Sequence, residues 1–303
     1  MPAGRIPKRI RPNILWMGGI SLRMKHVIVG ASGQVGGYLL QELVSRGEQV
    51  QGTCLTHFVP GLRPLDMGDA DRVSALLAEE QPDVVWIPAA MPDVDRCERE
   101  PDLSWRLNVE APELVATMAA ERHAKVVFFS TDYVFDGTNG PYSEADRVNA
   151  VQVYGRHKVE TEQFLLDGIP RALIIRPAWI YSRDENPRNF IYRVVQQLQS
   201  GNTVKAVTDQ WNTPTPSEGL GKIAWQAVAD DFEGILHVVG PERLTRYDLT
   251  VRIATAFGFS PAQVESATTD SFHLDAARPL KGGLVTDFPE YRMEAGRDFA
   301  PIF

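Results

Sequence analysis

His26-Val27-Ile28-Val29-Gly30-Ala31-Ser32-Gly33-Gln34-Val35-Gly36 is the stretch that decides the fold. Its β-branched run reads as a short buried strand, and the apolar pattern from Val35 to about Arg46 predicts a helix. A glycine turn between them allows a tight bend and close backbone approach. The free N–H groups and dipole at the helix start then attract a pyrophosphate. Gly30, Ser32, Gly33, Gln34, Val35 and Gly36 are therefore candidate dinucleotide contacts. The next predicted strand, Gln49 to Thr53, ends without the Asp or Glu that holds a ribose 2'-hydroxyl in NAD-specific sites, and no acid occurs from Gln51 to Phe58. Losing that carboxylate removes repulsion against a 2'-phosphate, and His57 or Arg63 can approach it, so NADP(H) is favoured over NAD(H). Asp66 is either an acceptor for the adenine amino group or a helix cap for the segment from Asp69 onward.

Outward from this cradle, strand and helix alternate. Asp71 to Glu80 reads as a helix, and Asp83 to Ile87 as a strand ending at the small residues Pro88-Ala89-Ala90. A helix is expected from about Ser104 to Arg122, where Asn108 reads as a solvated position. Strands follow at Lys125 to Ser130 and at Leu173 to Ile175, the latter ending at Arg176-Pro177. This alternation predicts an α/β fold, a Rossmann-type doubly wound parallel sheet. Beyond Tyr181 the rhythm breaks. A polar loop (Ser182 to Arg188), a helix from Asn189 to Ser200 and the turn-rich Asp209 to Thr215 precede a helix (Glu218 to Ala229) and a strand (Gly234 to Val239). A further helix is expected near Tyr247 to Phe257, and a loop around Arg278-Pro279. The expected organisation is a dinucleotide-binding domain of residues 24–180 with 216–240, and a smaller substrate lobe of 181–215 with 241–303.

The chain has 303 residues, 44% of them hydrophobic, and a net charge of −8 with two cysteines. That balance argues against a nucleic-acid or anionic-membrane surface, though a local cationic cleft for a phosphorylated ligand remains compatible with it. Cys54 and Cys97 form no C-x-x-C pair and the histidines show no ligand spacing, so neither a disulfide framework nor a metal site is expected. A reducing cytoplasm fits best. Residues 1–23 carry five cations and no acid, which leaves −13 on the remainder. They read as a basic, flexible extension rather than a signal peptide, with Met24 as an alternative start. No run approaches the roughly 20 apolar residues of a membrane span.

Chemistry concentrates between Lys125 and Glu162. Ser130, Thr131 and Asp132 follow a buried strand, where doubly wound sheets bind ligands. Tyr154 and Lys158 are four apart on a helical pattern, which stacks a phenol and an ammonium on one face. A nearby positive charge favours the phenolate. Hydride arriving at a ketone leaves an alkoxide, which a neutral Tyr can protonate while a hydroxyl donates to the same oxygen. For the reverse reaction Tyr must act as a base, and bringing its pKa from about 10 towards 7 takes about 4 kcal/mol.

Several motifs together resemble one family. G-x-x-G-x-x-G at Gly30, Gly33 and Gly36, Y-x-x-x-K at Tyr154 and Lys158, and L-I-I-R-P ending at Pro177 are similar to the extended short-chain dehydrogenases. S-T-D-Y-V-F-D-G from Ser130, P-Y-S-E from Pro141, Asn189-Phe190, D-Q-x-x-x-P-T from Asp209, Tyr247-Asp248 and Arg278-Pro279 resemble the dTDP-4-dehydrorhamnose reductases among them. The resemblance runs from about Lys25 to Leu284. It implies Thr131, Tyr154 and Lys158 as catalytic residues, with Tyr154 the acid and Lys158 holding the nicotinamide ribose. It extends the cofactor set to Thr53, Asp66, Met67, Ala89, Ala90, Met91, Asn108, Ser130 and Pro177. It also implies a substrate set of Thr131, Asp132, Val134, Phe135, Asn189, Gln210 and Arg278, the last a bidentate phosphate contact. The substrate it implies is a nucleotide-activated 4-keto-6-deoxysugar, and a homodimer is common for such folds.

The sequence departs from the family pattern at Pro88 for Asn, Met91 for an aromatic, His157 for Ser, and Thr161 and Asn212 for Gly. Gly282 and Val285 stand for the Ser and Asp expected after Arg278-Pro279. Most of these lie towards the substrate. Two other readings use the same motifs: a non-catalytic regulator resembling the methionine adenosyltransferase beta subunit, and a sugar-nucleotide epimerase or dehydratase. The six tryptophans read mainly as packing groups, with Trp179 and Trp211, near the substrate loops, as candidates to stack on a base.

Overall fold

Short β-branched runs flanked by glycine or proline, and longer apolar stretches at helical spacing, fold into strands and helices that alternate from Lys25 to Tyr181. The structure, a computed structural model, describes residues 23–182, 184, 185 and 189–294. The basic extension, apart from Arg23, and part of the loop before Asn189 lie outside the described residues. In chain order the first elements are β1 (Lys25–Ile28), α1 (Gln34–Ser45), β2 (Gln49–Cys54), β3 (Arg63–Pro64), α2 (Ala70–Glu80), β4 (Val84–Ile87), α3 (Val94–Arg99) and α4 (Pro101–Trp105). A π-helical turn (Arg106–Glu110) leads into α5 (Ala111–Glu121), β5 (Lys125–Phe129), α6 (Val153–Gly168), β6 (Leu173–Arg176) and β7 (Ile180–Tyr181). The remainder comprises α7 (Phe190–Gln199), β8 (Val204–Val207), β9 (Trp211–Asn212), β10 (Thr215–Pro216), α8 (Ser217–Ala229), β11 (Gly234–His237), β12 (Leu244–Thr245), α9 (Arg246–Ala256) and β13 (Val264–Ala267).

Seven strands form one sheet in the order β11-β6-β5-β4-β1-β2-β3, every pair parallel. Every residue of β4, β5 and β6 is buried, as a sheet covered on both faces requires. Alternate side chains divide between two cores. Val27, Val85, Ile87, Val126 and Phe128 pack with Leu76 and Leu77 of α2 and Val115 and Ala119 of α5. Ile28, Trp86, Val127 and Ile175 pack with Leu39 and Leu43 of α1 and Leu220 and Ala224 of α8. A third core joins α7, α9, β8 and β13 through Ile191, Val194, Leu198, Leu249, Ile253, Val204 and Val264.

The helix expected from Ser104 to Arg122 forms without a gap from Pro101 to Glu121 but widens into a π turn at Arg106–Glu110, and α3 was not anticipated from the sequence. Pro101 opens α4 as a first-turn proline. Pro112 has no N–H to give the carbonyl of Asn108, four residues earlier, so the α-helical ladder cannot run through it. The ladder widens instead: the Ala111 N–H reaches Arg106 O, and Asn108 O accepts from the Thr161 hydroxyl at 2.8 Å.

A buried ion pair ties α6 to the sheet. Arg176 forks onto Glu162, with Nε donating to Oε1 at 2.8 Å, while its Nη1 lies 3.3 Å from His237 Nε2. Burial, and then Arg176, push the His237 pKa down to about 3, so the imidazole stays neutral. Removing one partner of such a pair strands the other charge. Glu162→Ala is therefore expected to lower stability by about 3–5 kcal/mol, read as a shift in urea midpoint at pH 7, and a change below 1 kcal/mol would refute this account of the pair.

Candidate active site

The crevice forms where strand order reverses, between β1 and β4. Gly30 has φ +95°, and a Cβ there would stand 2.8 Å from the Ala89 Cβ. A Cβ on Gly36 would lie 2.3 Å from Gly30 O. The exits of β1 and β4 and the first turn of α1 are thus in backbone contact, which only glycine permits. Thr53 Oγ1 accepts from Gly30 N at 3.1 Å and so props the turn from β2. No side chain caps the start of α1 at Gly33, so its first N–H groups face the crevice without a capping acceptor. Ser32 and Val35 line the same turn, half-buried. Gln34 is committed elsewhere, donating to Ser182 Oγ and Ser217 Oγ at 3.1 and 3.2 Å.

Past β2, Asp69 rather than Asp66 caps α2, accepting from Arg72 N at 3.1 Å. Asp66 instead accepts from Gly68 N at 2.9 Å and is exposed, while Met67 is buried in the sheet's first core. Arg63 is paired with Glu79 at 2.6 Å, and His57 is exposed.

Asn108 is completely buried, not solvated as the sequence suggests. From the π turn its Oδ1 accepts from Met91 N at 2.8 Å, and its Nδ2 donates to Met91 O and Ser104 Oγ at 3.2 and 3.1 Å. Ser104 Oγ lies 2.9 Å from His157 Nδ1 on α6. The peptide after Ala89-Ala90 is therefore clamped to two helices. Burial, then Arg156, lower the His157 pKa, and its ring meets Trp105 edge-on at 5.3 Å. His157 acts here as a packing group.

Thr131, Tyr154 and Lys158 converge beyond the end of β5, all buried. Lys158 Nζ donates to Phe129 O at 2.9 Å and stands 4.3 Å from the Phe128 ring centroid. Burial draws its pKa down to about 7, against Glu162 and Cys97. Tyr154 does not show the lowered pKa read from its spacing to Lys158. Burial, with Cys97 and Asp132 next, raises it well above the ordinary phenol range, and a hydrogen bond with Thr131 acts the other way. The phenol is thus neutral at physiological pH. Thr131 Oγ1 donates to Asp132 Oδ1 at 3.2 Å, and Asn212 Nδ2 to Asp132 Oδ2 at 2.6 Å. Ser130 Oγ is buried with no hydrogen-bond partner among the described residues. Pro177 contributes its carbonyl, which accepts from Asp132 N at 3.1 Å.

The expected substrate contacts divide. Asn189 is fully buried and caps α7, accepting from Ile191 N at 3.2 Å while its Nδ2 donates to Ser182 O and Asp184 O. Gln210 donates to Thr269 Oγ1 at 3.0 Å. Arg278 is taken up by Asp95 on α3 and by Ala276 O, so it is not the free phosphate fork read from the sequence. Val134 and Phe135 are core residues with essentially no exposed surface. The reading passed over Arg246, at the start of α9, whose guanidinium stacks 3.6 Å from the Trp179 centroid and 4.4 Å from that of Phe190. One signal was available: a cation in a helix's first turn opposes the dipole, so its presence asks for another reason. A cavity of about 910 Å3 at the opposite, amino-terminal edge of the sheet, lined by Arg23, Gln81, Lys125 and Arg171, is remote from these groups.

The parallel sheet, the glycine turn at its switch point and the Tyr-x-x-x-Lys helix beside β5 define an oxidoreductase fold of the extended short-chain dehydrogenase type. Within that class the chain belongs to the family described as RmlD substrate binding domain, which matches residues 24–294. It is 32% identical over 270 residues to a probable dTDP-4,6-dihydroxy-2-methyloxan-3-one 4-ketoreductase of Streptomyces antibioticus, covering 87% of this chain and 88% of that one. It is 30% identical over 275 residues to the dTDP-4-dehydrorhamnose reductase of Salmonella typhimurium, covering 87% and 90%. Methionine adenosyltransferase 2 subunit beta of Bos taurus is 28% identical over 85% of this chain and 79% of its own. Among solved structures, a dTDP-4-dehydrorhamnose reductase of Clostridium acetobutylicum superposes with a TM-score of 0.79 at 31% identity, covering 86% of this chain and 90% of that one. That of Bacillus anthracis, in complex with NADP, gives 0.79 at 26%, covering 87% and 90%.

Burial holds the Asp132 carboxyl up at about 6, against hydrogen bonds from Asn212 and Thr131. A raised carboxyl pKa favours the protonated folded state. That contribution is complete below about pH 4 and lost as pH rises through 6. Between pH 4 and 7 the wild type should lose roughly 3 kcal/mol that Asp132→Asn does not. Urea unfolding of both proteins across that range tests this; parallel pH profiles would contradict it.

Proposed function

We propose that the protein is an NADP(H)-dependent reductase of a nucleotide-activated 4-keto-6-deoxysugar, with Tyr154 as proton donor. The observation that carries this reading is a neutral, buried Tyr154 beside the Thr131 hydroxyl, at the carboxyl edge of a sheet whose switch point carries an open glycine turn. The names of the reductase relatives and the NADP complex of a structural neighbour support it. The residues present fit a nicotinamide dinucleotide. Gly30 and Gly36 leave room for close backbone approach, the start of α1 offers N–H groups to a pyrophosphate, and the unpartnered Ser130 hydroxyl awaits an acceptor or donor.

In this reading Gly30 to Gly36 hold the pyrophosphate, and Thr53 holds the turn in shape. Ala89 and Ala90 leave a flat floor, which Asn108 fixes through Met91. Lys158, now on Phe129 O, has two further ammonium hydrogens for the nicotinamide ribose. The bound cofactor supplies the hydride. The Thr131 hydroxyl exchanges its 3.2 Å bond to Asp132 for the ketone oxygen, and Tyr154 gives that oxygen its proton as the alkoxide forms. The absence of an acid after β2 keeps NADP(H) the favoured partner. A cytoplasmic setting belongs to the same reading, since Cys54 and Cys97 are both free and buried.

The expected result is NADPH oxidation with dTDP-4-keto-6-deoxyhexoses, faster than with NADH. Tyr154→Phe keeps the ring and removes the proton, so kcat should fall about 100- to 10,000-fold while NADPH affinity stays near wild type. Unaltered turnover would reject the role of Tyr154. No oxidation across a panel of such sugars, with copurification of a methionine adenosyltransferase, would replace the reductase reading with the regulatory one.

A further inference from the structure

Arg246 has no use in the chemistry derived above, yet its setting is costly. The guanidinium is half-buried between Trp179 and Phe190, at the first position of α9, where the helix dipole opposes a cation. Its neighbour Arg193, on α7, adds like-charge repulsion rather than relief. Among the described residues neither guanidinium forms an ion pair or donates a side-chain hydrogen bond. Burial and then Arg193 draw the Arg246 pKa down to about 10, while Tyr133 and Asp132 act the other way. The group therefore remains cationic at neutral pH and stands within electrostatic reach of the residue that follows Thr131. The surface beneath it is itself strained: Trp179 has φ +36°, a left-handed conformation that a bulky aromatic rarely adopts.

We propose that Arg246, flanked by Arg193, is the anion subsite that receives the diphosphate of the nucleotide-activated sugar. The inference rests on the reductase reading and adds to it the groove that holds the substrate's charged end. In the reductase reading the diphosphate lies across the hexose ring from the ketone, and Arg246 is a cation within electrostatic reach of Asp132, next to Thr131. Two guanidinium groups without a paired counter-charge among the described residues match a diphosphate, which carries at least two negative charges; a single carboxylate would leave one cation unsatisfied. Stacking on Trp179 and Phe190 fixes the plane of the Arg246 fork while leaving its N–H edges to the ligand. The role assigned to Arg278 by sequence thus passes to Arg246, because Asp95 occupies Arg278.

The test is the affinity of the NADP+-loaded protein for dTDP, measured by calorimetry with thymidine as the uncharged control. Arg246→Gln is expected to weaken dTDP binding about 10- to 100-fold and to leave thymidine and NADP+ binding within twofold. Arg246→Lys should recover only part of the loss, since it keeps the charge without the fork. Arg193→Gln, at an exposed position, should give a smaller loss and guards against misfolding of the buried-site variant. Thermal midpoints of all variants establish that they are folded. Folded Arg246→Gln that binds dTDP as tightly as wild type overturns the subsite and leaves the reductase reading standing, provided NADPH oxidation is retained. If wild type binds neither dTDP nor thymidine, the nucleotide-sugar reading falls and takes the subsite with it.

Discussion

An ammonium group buried to 1% exposure holds the site together: Lys158 Nζ donating to Phe129 O at the end of β5. Burying a lysine charge is expensive, which is why its pKa sinks to about 7. What offsets the cost is the Phe129 carbonyl that accepts from it, the face of Phe128, and Glu162 one helical turn further along α6. Glu162 is in turn held by the fork of Arg176, the last residue of β6. The registration of α6 on the sheet is therefore set by charge as well as packing. Because Tyr154 is four residues before Lys158 on that helix, its placement beside Thr131 follows from the same contacts.

The departures from the family pattern become intelligible as physical units. Thr161, standing for a glycine, supplies the hydroxyl that satisfies Asn108 O where Pro112 cannot. His157 meets Ser104, which meets Asn108, which clamps Met91 on both its N–H and C=O. Three substitutions scattered over 70 positions of sequence thus meet in one hydrogen-bonded cluster beneath the floor of the crevice. Asn212, also standing for a glycine, reaches across to Asp132. A glycine there could not make that bond, and the carboxyl beside Thr131 would have one donor fewer.

The alternating half of the fold was legible because its signals are local. Buried parallel strands are short apolar runs, the glycine turn is written in consecutive residues, and the cap at Asn189 precedes a strongly amphipathic helix. The helix through Asn108 was legible but its π turn was not read, although Pro112 is visible, and the rescue of Asn108 O by Thr161 depends on a residue 53 positions away. Side-chain commitments at such separations do not register in periodicity. Arg278 and Arg246 look alike in the sequence, and only the fold shows that Asp95, 183 positions from Arg278, neutralises one while the other stands against aromatic rings. Spacing alone suggested that Lys158 lowers the Tyr154 pKa; it did not reveal that both side chains are buried, or that the ammonium turns to a carbonyl.

That last difference bears on the direction of catalysis. A phenol raised above its ordinary range holds its proton and can give it up only to something more basic, such as a ketone oxygen taking on hydride. To serve as a base it would need positive charge brought close and the desolvation relieved. An oxidised nicotinamide brings positive charge with it, and a reduced one does not. In the proposed reading, the buried surroundings of Tyr154 would favour the protonated phenol while a nicotinamide held beside it was reduced, the state in which a proton donor is wanted. Burial, usually a hindrance to an ionisable group, would on that reading match the protonation state of the residue to the redox state of its cofactor.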